Sequence, residues 1–260
     1  MTPPLPATDH DPADQALVPG IERRAFNAWP ALRCVDQGGW RFRLASGFTK
    51  RANSANAVVP GADFAGVRAA AEALYAREGL PAIFRLSPLA PPEADAELAA
   101  AGYRFFDPSL VLLRKGLPDA GAHPTVEVAT TPSAAWLDGF AAANGVAERH
   151  HTLHHAMVGA ITQPAGFATL REAGQAIGFG LAVVEEGAVG FYDIVIVPEQ
   201  RGRGRGRALM AGLLDWSRRA GATWAYLQVR EENPAALRLY DGLGFTTLYR
   251  YHYRVPPAHG

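Results

Sequence analysis

At 260 residues the chain exceeds one average domain and suits two small ones, each able to bury a core. Its 25 Lys and Arg balance its 25 Asp and Glu, which removes the overall positive field that neutralising a nucleic-acid backbone demands, so any basic function is local. The single cysteine, Cys34, excludes an internal disulfide; with no leader-like pattern at the start and no run of about 18 apolar residues, the reading is a cytoplasmic protein with no membrane span and no membrane partner.

Residues 1–17, "MTPPLPATDHDPADQAL", are rich in proline and acid and poor in apolar residues, and are expected to be a disordered tail. A first unit is expected over 18–118. In it Trp29, Trp40 and Phe42 read as core, while "KRANSANAVV" puts Arg51, Asn53, Ser54 and Asn56 on both faces of a predicted strand. Central strands are seldom polar on both sides. Either this is an edge or a loop, or these side chains face a cleft shared with the second unit and help to read a substrate. A helix over "AGVRAAAEALYAREGL", a strand over "PAIFRLS" and a helix over "PPEADAELAAAGY" follow.

Glycine, proline and small polar residues between Arg114 and Thr125 mark a boundary, with a linker at 119–125 and a second unit at 126–258. The second unit opens with a strand in "TVEVATTP" and two helices, "SAAWLDGFAAANG" and "AERHHTLHHAMVGAI". Three strands follow, joined by turns at Glu172-Ala173-Gly174 and Glu185-Glu186-Gly187. An Arg-Gly loop leads into a helix with Leu209, Met210, Leu213 and Leu214 on one stripe. The strand "TWAYLQV", a short helix and the strand "TTLYRYHYRV" complete the chain. Slid along itself without gaps, the first unit matches this order: Gly79 meets Gly221, Pro92 meets Pro234, and Gly102-Tyr103 meets Gly244-Phe245. The match is one of pattern and punctuation. It fails where "VPGADF" stands opposite Arg201–Gly206.

In "DIVIVPEQRGRGRGRALM" a strand runs into a glycine-rich turn and then a helix, which gathers backbone N–H groups at the positive end of the helix dipole. Gly202, Gly204 and Gly206 allow a tight curl and close approach, and Arg201, Arg203, Arg205 and Arg207 supply charged donors. An Arg-Gly low-complexity segment is the alternative, but such segments are longer and unclamped.

Arg201–Gly206 resembles the (Gln/Arg)-x-x-Gly-x-(Gly/Ala) loop of the GNAT superfamily of acyl-CoA-dependent N-acetyltransferases, and "NPAALRLYDGLGF" resembles that family's following signature. The resemblance covers about Thr125 to the end, and the order of loop, helix, strand and Asn-Pro-helix-Gly-Phe makes it specific. It implies an α/β fold with mixed, mostly antiparallel sheets flanked by helices: two tandem GNAT-like domains, the first degenerate and the second catalytic. The tandem layout is also similar to mycothiol synthase. The resemblance further implies acetyl-CoA as co-substrate, its pyrophosphate held by Arg201, Gly202, Arg203, Gly204, Arg205, Gly206 and Arg207. Its pantetheine arm would lie along the strand end at Ile196 and Val197. Asn233 suits either a helix cap, with Pro234 in the first turn, or cofactor contact.

Tyr240 stands where the family's general acid is found. A tyrosine with a reference pKa near 10 can hydrogen-bond to a leaving thiolate near 8.5. The alternative is an aromatic core residue; the first unit has Leu98 there and no proton to give. An attacking amine must be neutral, and Asp193, on the strand before the loop, is a candidate base or else a surface strand residue. Gln228 stands in "LQVR" where the ribosomal-protein alanine N-acetyltransferases resemble "LEVR", and an amide cannot take a proton as that glutamate does. Glu148, His150, His151, His154 and His155 form either a solvated helical face or part of the acceptor border; no metal is expected, since no further ligand lies near them in sequence. The expectation is acetyl transfer to a primary amine of a small molecule or peptide by direct attack in a ternary complex. No nucleic-acid partner is expected, and a homodimer is allowed. Rival readings are a non-catalytic acyl-CoA sensor or scaffold and a nucleic-acid binder that uses the arginines.

Overall fold

The computed structural model describes residues 12–118, 121 and 123–257. Of the tail expected over 1–17, residues 1–11 lie outside the described residues. Pro12–Gln15 (α1) forms a short helix, and Asp14 pairs with Lys115 Nζ at 2.7 Å. Part of the expected linker, at 119, 120 and 122, also lies outside them.

The first half of the chain runs α2 (Val18–Ala28), β1 (Arg33–Gln37), β2 (Trp40–Leu44), β3 (Ala55–Ala57), α3 (Val67–Arg77), β4 (Phe84–Leu86), α4 (Pro92–Ala100) and β5 (Arg104–Arg114). The second runs β6 (Val126–Ala129), α5 (Ala134–Asn144), α6 (His151–Gly159), β7 (Ala165–Glu172), β8 (Gln175–Glu185), β9 (Ala188–Ile196), α7 (Arg205–Arg219), β10 (Trp224–Arg230), α8 (Pro234–Asp241) and β11 (Thr246–Val255). Local chemistry accounts for many of these limits. Ser133 accepts a bond from Trp136 N at 3.1 Å and caps α5, and Gly145 closes that helix in the left-handed region. Ala173-Gly174 and Glu186-Gly187 all have positive φ, the requirement of two-residue hairpins whose twist matches their strands.

The two separate sheets expected of a tandem layout are one. Eleven strands form a continuous sheet in the order β1-β2-β3-β4-β11-β5-β10-β9-β8-β7-β6. The halves exchange their last strands. β5 of the first half pairs antiparallel with β10 (Leu112 opposite Leu227), β11 of the second pairs antiparallel with β4 (Tyr253 opposite Arg85), and β5 and β11 pair with each other at the centre. Among the described residues the only parallel pairs, β3 with β4 and β9 with β10, occupy equivalent places in the two halves. The repeat seen in the sequence is therefore built into one sheet.

Two apolar clusters cover this sheet. One joins the first half to the α5 and α6 side of the second, and in it Trp29, Trp40 and Phe42 are buried as expected. The other lies under α7 and α8, where Leu209, Met210, Leu213 and Leu214 are buried. A buried ion pair of the first half is tied to the second: Arg85 Nη2 donates to Glu22 Oε1 at 3.0 Å, and Tyr249 Oη of β11 donates across the halves to the same oxygen at 2.6 Å.

"KRANSANAVV" is part loop and part central strand. Lys50–Ala52 is a 3-10 turn, and β3 lies between β2 and β4 with every residue buried, so it is no edge. Its polar side chains serve the backbone. Asn53 Oδ1 accepts from Ala45 N at 2.7 Å and Gly47 N at 2.9 Å, and Asn56 Nδ2 donates to Ser54 O at 2.7 Å.

Candidate active site

β9 and β10 pair in parallel only from Trp224 opposite Ala188 to Leu227 opposite Phe191. Beyond that point β10 stays with β5 and β9 stays with β8, so the sheet splits. The register of β8 on β9 slips between Phe179/Val195 and Leu181/Tyr192, and Asp193 there has φ +54°, which makes it the bulge residue. A bulge re-aims side chains beside the split.

At the end of β9 the chain turns through Pro198–Gln200 into the Arg-Gly loop. Gly202 and Gly204 have φ +73° and +76°, and Gly204 is the N-cap of the fifteen-residue helix α7. Among the described residues the amides of 202–206 donate to no backbone or side-chain acceptor. Five successive free N–H groups at a helix N-terminus form an anion nest. Neither Gly202 nor Gly204 is crowded, so their requirement is the left-handed backbone. Gly206 differs: a Cβ there would stand 3.0 Å from Leu239 Cδ2, and its role is close packing of α7 on α8.

The arginines are less free than the sequence implies. Arg201 Nε donates to Ile196 O at 2.9 Å, Arg205 Nη2 to Glu172 Oε1 at 2.6 Å, and Arg207 Nη1 and Nη2 to Gly242 O at 3.1 Å. Arg203 is exposed, with a long bond to Gln200 Oε1 at 3.3 Å. Val197 N donates to Ile177 O, extending the β8 edge. Asn233 Oδ1 accepts from Ala236 N at 3.1 Å, so it caps α8, with Pro234 in the first turn.

Tyr240 is buried on α8 against Phe245, their centroids 5.9 Å apart, and burial pushes its phenol up to about 12. It therefore stays protonated through the physiological range. Asp193 Oδ2 lies 3.6 Å from His154 Nε2. That carboxylate oxygen and both ring nitrogens of His154 are buried without a hydrogen-bond partner among the described residues. His154 is not part of a solvated face. It is fully buried, stacked on Phe140 at 4.9 Å and in ring contact with Trp29 and Phe48 of the first half. His150 stacks on Phe48 at 5.2 Å, and His151 Nε2 lies 3.0 Å from Val146 O. Among the described residues no group of three or more His, Cys, Asp or Glu is placed to hold a metal.

For Arg51 the sequence left open an edge or loop and a cleft shared with the second unit, and the side chain lies at the contact between the halves. Its guanidinium lies 5.3 Å from the Trp29 ring centroid and 5.7 Å from that of Tyr192, and Nη1 is 3.4 Å from Gln228 Oε1. Tyr192 and Gln228 are the first residues of β9 and β10 past their last parallel pair. Thus a residue of the first half sits over the split in the second. The only available signal was the run of polar residues at 50–56, which does not say where a side chain ends.

Comparison with known proteins identifies the family and the fold. The family model described as "Probable histone acetyltransferase Rv0428c C-terminal" matches residues 16–254. The "Uncharacterized N-acetyltransferase YobR" of Bacillus subtilis (strain 168) is 31% identical over 242 residues, covering 90% of this chain and 97% of that protein. Among solved structures, the GCN5-related N-acetyltransferase from Kribbella flavida shares the fold with a TM-score of 0.70 at 20% identity, over 93% of this chain and 96% of that one. A "Tandem GNAT protein from the clavulanic acid biosynthesis pathway (without AcCoA)" shares it with a TM-score of 0.58 at 13% identity, over 92% and 89%. No helix among the described residues is long and apolar enough to cross a membrane. The chain belongs to the family described by that model and is an N-acetyltransferase of the GNAT superfamily.

Proposed function

We propose that the protein transfers the acetyl group of acetyl-CoA directly to a primary amine in a ternary complex, at the split between β9 and β10. The single observation that carries this is the nest of five free amides at 202–206, set where a strand ends beside an opened sheet. Residues 126–258 act as the catalytic unit and 18–118 as a degenerate partner with buried Leu98 at the position matching Tyr240. When bound, acetyl-CoA supplies the thioester carbon that the amine attacks.

The chain's own groups then have distinct tasks. The amides of 202–206, the free nitrogens of Arg201 and the side chain of Arg203 hold the pyrophosphate. The β9 edge past Phe191, through Ile196 and Val197, faces the pantetheine, with its backbone open on the β10 side. Tyr240 donates a hydrogen bond to the sulfur as the C–S bond breaks. Complete proton transfer from a phenol near 12 to a thiolate near 8.5 is uphill by about 5 kcal/mol, so a hydrogen bond is its contribution and the proton passes over only as the thiol leaves. Asp193, with His154 behind it, takes a proton from the acceptor's ammonium before attack and so frees the lone pair that forms the N–C bond. For an alkylamine near pKa 10, reaching the neutral form at pH 7 costs about 4 kcal/mol, which is why a positioned base is useful.

Initial rates of CoA release with acetyl-CoA and an accepted amine both varied test the reading. Intersecting double-reciprocal lines are expected; parallel lines would indicate an acetyl-enzyme and overturn direct attack.

A further inference from the structure

The side chains around the split carry more donors than acceptors. A cavity of about 210 Å3 lies at the end of β10, lined among others by Lys50, Arg51, Asp107, Gln228, Arg230 and Tyr253. This is below the roughly 300–1,000 Å3 of sites for drug-sized ligands, so it suits a small group. Three cations face Asp107, and one of them, Arg230, also pairs with Glu232 at 3.2 Å, which leaves these side chains one positive charge in excess. Lys50 Nζ and Arg230 Nε both pair with Asp107, at 3.4 Å and 2.7 Å. Arg51 has no carboxylate within ion-pair distance among the described residues. Gln228 Oε1 is already used, accepting from Tyr251 Oη at 3.2 Å and facing Arg51. That orientation leaves Gln228 Nε2 buried with no acceptor among the described residues. A buried donor without a partner costs free energy that a bound acceptor would recover. Arg51 Cζ also lies over the rings of Trp29 and Tyr192, at 5.3 Å and 5.7 Å from their centroids, and the planar fork of its guanidinium matches a carboxylate.

We propose that Arg51 and Gln228 form a carboxylate subsite, so that the acceptor is a small amine bearing its own carboxylate, of the amino-acid class. This rests on the acetyltransferase reading above and names its substrate class. A bare alkylammonium approaching the split meets net positive charge and gains nothing from Nε2 of Gln228. An amine with a carboxylate gains a bidentate partner in Arg51 and an amide donor beside it. The first half of the chain, without a phosphate loop of its own, thereby reads the substrate of the second.

The test compares L-amino acids with their primary amides, which keep the amine and lose the anion. CoA release is followed in wild type, Arg51→Ala and Arg51→Lys, with acetyl-CoA binding measured calorimetrically in each. Wild type is expected to prefer at least one amino acid over its amide by tenfold or more in kcat/KM. Arg51→Ala should abolish that preference through a raised KM for the acid alone, with acetyl-CoA affinity unchanged; Arg51→Lys should restore part of it. Amides used as well as acids, or equal losses on both in Arg51→Ala, would overturn the subsite. So would a wild type that binds acetyl-CoA yet turns over no carboxylate-bearing amine. A wild type that binds no acetyl-CoA overturns the acetyltransferase reading instead, so the two failures are distinguishable.

Discussion

His154 Nε2, on α6, lies 3.6 Å from Asp193 Oδ2, at the bulge of β9, and both atoms are buried without a hydrogen-bond partner among the described residues. Buried polar groups left unsatisfied in a fold call for an explanation, and the proposed proton transfer supplies one. Asp193→Asn keeps the shape and removes the charge. We expect kcat to fall about 10²- to 10⁴-fold, the usual worth of a positioned acid or base, with acetyl-CoA affinity retained. Unchanged kcat in Asp193→Asn would remove this residue from the chemistry.

Tyr240→Phe removes one hydrogen bond to a departing charge, worth about 1.5–3 kcal/mol, so kcat should drop roughly 10- to 150-fold. Because burial holds the phenol near 12, its ionisation leaves the rate alone up to about pH 10. A pH–rate profile checks this. An alkaline limb near pH 9 that disappears in Tyr240→Phe would contradict the protonated, buried phenol described here.

Two glycines of one loop should fail differently. Gly204→Ala forces a side chain to φ +76°, costing about 1–2 kcal/mol and distorting the amide nest, so acetyl-CoA affinity should weaken together with stability. Gly206 has helical backbone, and alanine there gains up to about 1 kcal/mol of helix propensity against a 3.0 Å contact with Leu239. Leu239 adjoins Tyr240 on α8. Gly206→Ala should therefore leave the melting temperature nearly unchanged and lower kcat more than it lowers acetyl-CoA affinity, as calorimetry and initial rates would register.

Asp95 accepts from His252 Nε2 at 2.8 Å and from Arg254 Nε at 2.7 Å, and the His252 bond, with Arg254 helping against partial burial, holds its carboxyl well below the usual range. A depressed folded-state pKa stabilises above the unfolded value near 3.9 and loses that contribution as pH falls below it. The carboxylate is partly exposed, so the contribution is about 1 kcal/mol or less. Asp95→Asn should lower the urea midpoint at pH 7 and flatten its fall between about pH 4 and 2. An equal acid-induced fall in both proteins would show that this cluster is not what tethers α4 to β11.

The elements of the second half were legible because each carries a local signal: the Ala173-Gly174 and Glu186-Gly187 turns, the Ser133 cap and the α7 stripe. So was the loop, since Gly202 and Gly204 stand where left-handed backbone is needed. The strand exchange was not. Leu112 opposite Leu227 is a pairing across more than a hundred residues, and nothing near either position specifies its partner. His154 read as part of a solvated helical face or of the acceptor border, and the first half of the chain covers it with Trp29 and Phe48. For Arg51 the sequence offered a shared cleft as one of two readings, and the contact between halves that decides it is set by the shared sheet.

The central claim is that the nest at 202–206 beside the split holds acetyl-CoA. Isothermal titration of acetyl-CoA into wild type and into Gly204→Asp, whose carboxylate would occupy the anion position, tests it most directly. The expected result is saturable one-to-one binding by wild type, weakened at least tenfold in a variant that still melts cooperatively. Equal affinity in both proteins would contradict the claim.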